Sequence, residues 1–233
     1  MSLPEPTHPS HRLPCLVATG PALAAAGLPH RVVAPSAPGP HPTVVMLHGQ
    51  GGDEDVMWVF APTVPAGWLV VAPRGPVAAP DGGFAWHRRD RDVWPTLAEF
   101  DPAASAVARC VEALPSLYGA DPSRICLMGF SQGAATSYAV ALRRPGLVRA
   151  IAGLVGFLPT ACDEVVISRP LRGLPIFMAI GQSDGIIPVD RAREAARLLA
   201  AAGASVEARE YDVGHKLNPR GMRDLTAWWH ARW

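Results

Sequence analysis

"ICLMGFSQGAATSYAVALRRPG", residues 125–146, passes from an apolar run through a serine set between glycines into an alanine-rich stretch. The three parts read as strand, sharp turn and helix. Gly129, Ser131 and Gly133 match G-x-S-x-G, and a strand-to-helix turn this tight leaves no room for side chains beside the serine. Such a turn strains the serine backbone and lifts its hydroxyl above the carboxyl edge of a sheet. The first amides of the following helix are unpaired donors at a positive dipole end, aimed at the same point.

Outward from this stretch, short apolar runs recur as "TVVML" (43–47), "WLVVA" (68–72), "RICLM" (124–128), "AIAGLVGF" (150–157) and "PIFMAI" (175–180). They are nearly continuous rather than alternating, the pattern of strands covered on both faces. Residues 102–117, 132–143, 190–202 and 220–231 carry apolar positions at helical spacing. Strand alternating with helix predicts a doubly wound α/β fold, a mostly parallel central sheet with helices on both faces, because parallel neighbours need a crossover. "SVEAREYDV" (205–213) alternates and reads as a half-exposed strand near an edge, while "HRVVAPSAPGPHP" (30–42) gives an early strand and turn, expected to be antiparallel. Residues 1–12 are expected to be disordered, and the charged "HRRDRDVWPTLAEFD" (87–101) to be a solvated surface loop. No repeat or linker divides the chain, so one domain over residues 1–233 is expected.

Composition narrows the partners. Lysine and arginine number 21 against 20 acidic residues, so no net field favours nucleic acid or an anionic membrane. Cys15, Cys110, Cys126 and Cys162 are scattered without a C-x-x-C pair, which fits reduced core thiols better than a disulfide framework. No cluster has metal-ligand spacing, and no metal or cofactor is expected. No stretch approaches the roughly 20 apolar residues of a membrane span, and the start, "MSLPEPTHPSHRLP", lacks the basic start and apolar core of a signal peptide. A cytoplasmic protein is the expectation.

A serine hydroxyl is a poor nucleophile unless a base takes its proton. On a sheet of this kind the partners follow in the order serine, acid, histidine, each on a loop leaving a strand. "IFMAIGQSDGIIPVD" (176–190) offers Asp184 in a turn after an apolar run; Asp163 and Glu164, after the preceding run, are alternative acids. "YDVGHKLNPRG" (211–221) offers His215, and His230 is the other histidine after Asp184. His230 lies in "TAWWHARW", where a helical packing role is the default. A tetrahedral intermediate needs converging amides; these would be the N–H groups of Gln132, after the serine, and of an early loop in "VVMLHGQGGDED" (44–55), at Gln50. His48 in that loop reads as a brace rather than a base.

"LHGQGGDE", "APRGP", "GFSQGAA", "GFLP", "GQSDGIIPV" and "GHKL", in this order over about residues 28–231, resemble the phospholipase/carboxylesterase family of α/β-hydrolases, with its carboxylesterases and acyl-protein thioesterases. The resemblance implies an α/β-hydrolase fold without a large helical cap, Ser131, Asp184 and His215 as a triad, and the Gln50 and Gln132 amides as an oxyanion hole. It further implies a small-molecule carboxylic ester or thioester as substrate, with no cofactor. Trp86 and Leu158 are implied as cleft contacts, at positions where the family carries an aromatic and a cleft wall. A catalytically silent binding protein, or a serine transacylase or peptidase, are the rival readings of the same fold.

Overall fold

The computed structural model describes residues 13–88 and 93–233; the expectation for residues 1–12 lies outside them. The chain begins with β1 (Cys15–Val17), α1 (Gly20–Ala26), β2 (His30–Val33) and β3 (His41–Leu47). A 3-10 segment at Val56–Thr63 follows, then β4 (Leu69–Pro73) and a small hairpin of β5 (Val77–Ala78) with β6 (Phe84–Ala85). The second half runs α2 (Asp101–Tyr118), β7 (Ala120–Phe130), α3 (Gln132–Arg143), β8 (Ile151–Leu154), α4 (Asp163–Ile167), β9 (Pro175–Gly181), α5 (Val189–Ala201), β10 (Ser205–Tyr211) and α6 (Pro219–His230).

The main sheet has the order β1-β2-β4-β3-β7-β8-β9-β10. From β4 onward in that order every pairing is parallel, whereas β1 pairs β2 and β2 pairs β4 antiparallel. This is the α/β-hydrolase fold. Its apolar runs are continuous because successive residues serve different faces. In β3, Val45 and Leu47 join the core packed under α1 to α5, while Val44 and Met46 join the core under the Val56–Thr63 segment and α6. In β7 the same division separates Ile125 and Leu127 from Cys126 and Met128. A strand sandwiched between helices must be apolar at both parities, which is why alternation vanishes there.

The edge strand β10 does not alternate as expected: Ala208 is exposed, and charges stand on both faces, Glu207 and Arg209 pairing with each other and Arg209 with Asp224 of α6, while Glu210 pairs with Arg193 of α5. All four cysteines are free, with Cys110, Cys126 and Cys162 buried; burial pushes the Cys110 thiol up to about 12, which keeps it protonated and inert. No described helix is long and apolar enough to cross a membrane.

Candidate active site

The carboxyl ends of β3, β7, β9 and β10 lead to one rim of the sheet, and the site is assembled there. Ser131 follows β7 directly and caps α3, with φ 53° and ψ −115°. Such a backbone costs a non-glycine residue about 1–3 kcal/mol and persists only where its surroundings over-determine it. Here they do. A Cβ on Gly129 would lie 2.2 Å from the Gly133 carbonyl oxygen, and one on Gly133 would lie 2.0 Å from that of Leu47. The Ser131 N–H donates to the Leu154 carbonyl at 2.9 Å, which fixes the turn to the neighbouring strand.

Asp184 and His215 come from adjoining loops that are laced together. The Gln182 N–H donates to Tyr211 O at 2.9 Å and the Ser183 N–H to Val213 O at 3.0 Å. Asp184 Oδ1 accepts the amides of Ile186 and Ile187 at 2.8 and 2.9 Å, and its Oδ2 accepts the His215 Nδ1 proton at 2.7 Å. The carboxylate side chain is 1% exposed and the imidazole 16%. Because a carboxylate can only accept, Nδ1 carries the ring proton and Nε2 is left as the acceptor. His215 and Ser131 line the same cleft, and the His215 ring packs edge-on against Phe130 at 5.2 Å. Among the described residues the Ser131 hydroxyl makes no hydrogen bond, so its link to Nε2 is the open one; such links commonly tighten when substrate binds. Asp163 and Glu164 lie exposed on the first turn of α4, and His230 is exposed at the end of α6.

Opposite the imidazole stands the loop after β3. Gly51 and Gly52 pair with Phe84, the Gly51 N–H donating to Phe84 O and the Phe84 N–H to Gly52 O, both at 2.8 Å. Glu54 anchors the loop's far end through a bidentate pair with Arg74, and the guanidinium holds its carboxyl below the usual range. His48 is fully buried: its Nδ1 proton goes to Gly49 O at 2.7 Å and its Nε2 accepts the Gly75 N–H at 2.8 Å. Burial lowers its pKa, so the ring is a neutral brace. Among the described residues neither the Gln50 nor the Gln132 main-chain N–H donates to a protein acceptor. Both residues line the cleft with Ser131.

Trp86 and Leu158 are placed elsewhere. Trp86 is 1% exposed; its indole N–H donates to His48 O and its main-chain N–H to the Gln132 side chain, at 2.8 and 2.7 Å. It ties the loop after β3 to α3 instead of lining the cleft. Leu158 is 2% exposed and packs into the core, with its carbonyl accepting from Arg191 at 2.9 Å. The lining role falls to the residues beside them. Phe157, which neighbours Leu158, faces Trp94 with ring centroids 5.0 Å apart. Trp94, Val93 and Pro95 form one wall, so this part of the expected solvated loop is instead built into the cleft. Leu97 and Thr160 hold it there by main-chain bonds to Thr160 and Pro95, at 2.8 and 2.9 Å, and the Arg191 guanidinium lies 5.0 Å from the Trp94 ring. Ile186 and Ile187 complete the lining. The cavity between these walls is about 440 Å³.

The described residues contain no group of three or more His, Cys, Asp or Glu placed to hold a metal ion. The chemistry on offer is that of a positioned hydroxyl, an oriented imidazole and two main-chain donors.

Comparison with known proteins agrees with this architecture. The family model described as Phospholipase/Carboxylesterase matches residues 28–231. A crystal structure of a carboxylesterase from Mesorhizobium loti superposes with TM-score 0.78 at 21% identity, covering 92% of this chain and 97% of that one. Zea mays acyl-protein thioesterase 2 superposes with TM-score 0.68 at 24% identity, covering 87% and 97%. In sequence, acyl-protein thioesterase 1 of Gibberella zeae is 34% identical over 113 residues, 47% of this chain and 48% of that protein. The chain spans about half the length of the first curated relatives it matches, 48% and 44%. The fold and its serine turn define an α/β-hydrolase. Within that class the chain belongs to the phospholipase/carboxylesterase family.

Proposed function

We propose that the chain is a serine hydrolase that cleaves carboxylic esters, thioesters included, through an acyl-enzyme on Ser131. The observation that carries this reading is the Asp184–His215 bond at 2.7 Å, which fixes the imidazole tautomer in the cleft that also holds the strained Ser131. Nε2 takes the Ser131 proton as Oγ attacks the ester carbonyl. The negative charge that develops on the carbonyl oxygen meets the amides of Gln50 and Gln132, donors fixed before the reaction begins. Collapse of the intermediate expels the alcohol or thiol, which receives the proton from Nε2. Water then repeats the sequence, releasing the carboxylic acid and restoring the serine. The apolar wall of Trp94 and Phe157 suits short, fairly apolar acyl groups.

A fluorophosphonate probe tests the reading directly. Wild-type protein is expected to be labelled, with the phosphonate located on Ser131 by peptide mass, and Ser131→Ala to be unlabelled while keeping its melting temperature. Absence of labelling in the wild type favours a silent binding protein. Labelling without release of free acid from simple esters, but with acyl transfer to added alcohols or amines, favours a transacylase.

A further inference from the structure

A second concavity adjoins the catalytic cleft. It measures about 760 Å³, against about 440 Å³ for the cleft, and Gly49 and Phe130 line both. One side is the Val56–Thr63 segment, where Val56 and Val59 are 49% and 63% exposed. The other is the stretch that leaves the imidazole, Lys216 through Pro219, together with Met222 and Arg223 of α6. Its lining holds two cations and no carboxylate, and among the described residues neither Lys216 nor Arg223 has an ion-pair partner.

We propose that this groove binds the leaving-group side of the substrate, and that the favoured alcohol or thiol is an elongated apolar chain ending in an anion. The inference rests on the acyl-enzyme reading above and gives it a substrate class. The imidazole that protonates the departing oxygen must lie on the leaving group's flank of the serine. The chain that follows His215 runs straight into the groove wall, while the aromatic wall of Trp94 and Phe157 stands in the other compartment, with Ser131. An acyl group in the aromatic cleft therefore sends its leaving group past Phe130 into the groove. Methylenes there cover Val59, Leu217 and Met222. A terminal carboxylate or phosphate then reaches the two cations, whose side chains are solvent-exposed.

The test holds the acyl group constant as butyrate and varies the alcohol among ethanol, octanol and 8-hydroxyoctanoic acid. A fully buried methylene is worth about fourfold in binding, so the octyl ester is expected to exceed the ethyl ester in kcat/KM by at least about tenfold in a half-open groove. Val59→Asp, and the milder Val59→Ser as a folding control, should bring that ratio down to within about threefold. The carboxylate-terminated ester should gain roughly a further fivefold over octyl at low salt, a gain removed by Arg223→Glu and by high salt. A flat ethyl-to-octyl ratio in the wild type, or a ratio indifferent to Val59→Asp, overturns the proposal; a flat ratio with sedimentation on phosphatidylglycerol vesicles assigns the face to a lipid surface instead. If no ester is turned over, the acyl-enzyme reading fails separately, and calorimetry with 8-hydroxyoctanoate decides the groove. Binding weakened by Val59→Asp and Arg223→Glu upholds it, and no binding to the wild type refutes it.

Discussion

At the Ser131 turn, backbone packs on backbone: the glycines at 129 and 133 admit main-chain oxygens to within 2.0–2.2 Å of where a side chain would begin. Across the cleft, the wall of Trp94 and Phe157 is gathered from distant segments by side chains, with Arg191 of α5 lying against the Trp94 ring. The first arrangement has a single solution, because main chain cannot yield. The second is a set of van der Waals and aromatic contacts worth about 0.5–1.5 kcal/mol each, which can be exchanged one at a time. On the proposed function, chemistry belongs to the part that cannot vary, and selectivity to the part that can.

The largest break in this contrast should come from Gly133→Ala, whose new methyl meets the Leu47 carbonyl. A fall in melting temperature of about 10 °C or more is expected by circular dichroism, together with loss of probe labelling. Asp184→Asn should leave melting nearly unchanged yet lower kcat by about 10⁴, because an amide can present its N–H to Nδ1 and hold the wrong tautomer; steady-state hydrolysis of a simple ester checks this. On the exchangeable side, Trp94→Ala should cost about tenfold in discrimination between short and longer acyl chains, read as the ratio of kcat/KM values. Equal losses on every ester would place Trp94 with the rigid half.

The smallest effect concerns pH. Burial lowers the pKa of His48 and of His30 from the ordinary 6.5, so the unfolded chain binds more protons than the folded one as pH falls below that value. Stability is therefore fully present above about pH 6.5 and is lost progressively on acidification. Thermal melts between about pH 7.5 and 5 should decline, and less steeply in His48→Gln.

The sequence disclosed most where local rules govern. The parallel strands announced themselves because each apolar run serves both faces, and the serine turn because its glycines are a steric demand. Asp184 and His215 follow from strand order, and the structure brings their side chains into contact. The walls were less legible. In "GFLP", Phe157 and Leu158 are equally apolar, and nothing in the four letters says that Phe157 lines the cleft while Leu158 joins the core. In "FAWH", Trp86 carries an indole N–H that a buried carbonyl, His48 O, takes up; nothing local in the sequence names that acceptor. Charges around Trp94 suggested solvent, yet its ring is drawn inward by Phe157 and Arg191, residues 63 and 97 positions further on. The short α4 and the Val56–Thr63 segment lacked enough turns for a periodic signal.

The borders of the sheet carry a last consequence. One is closed by a strand only 3 residues long, and the other by the interlocked acidic and basic side chains of β10. A neighbouring molecule seeking to add a strand would find almost no length on one side. On the other it would have to strip water from charges already satisfied. Both borders therefore make the parallel sheet a poor template for fibrils.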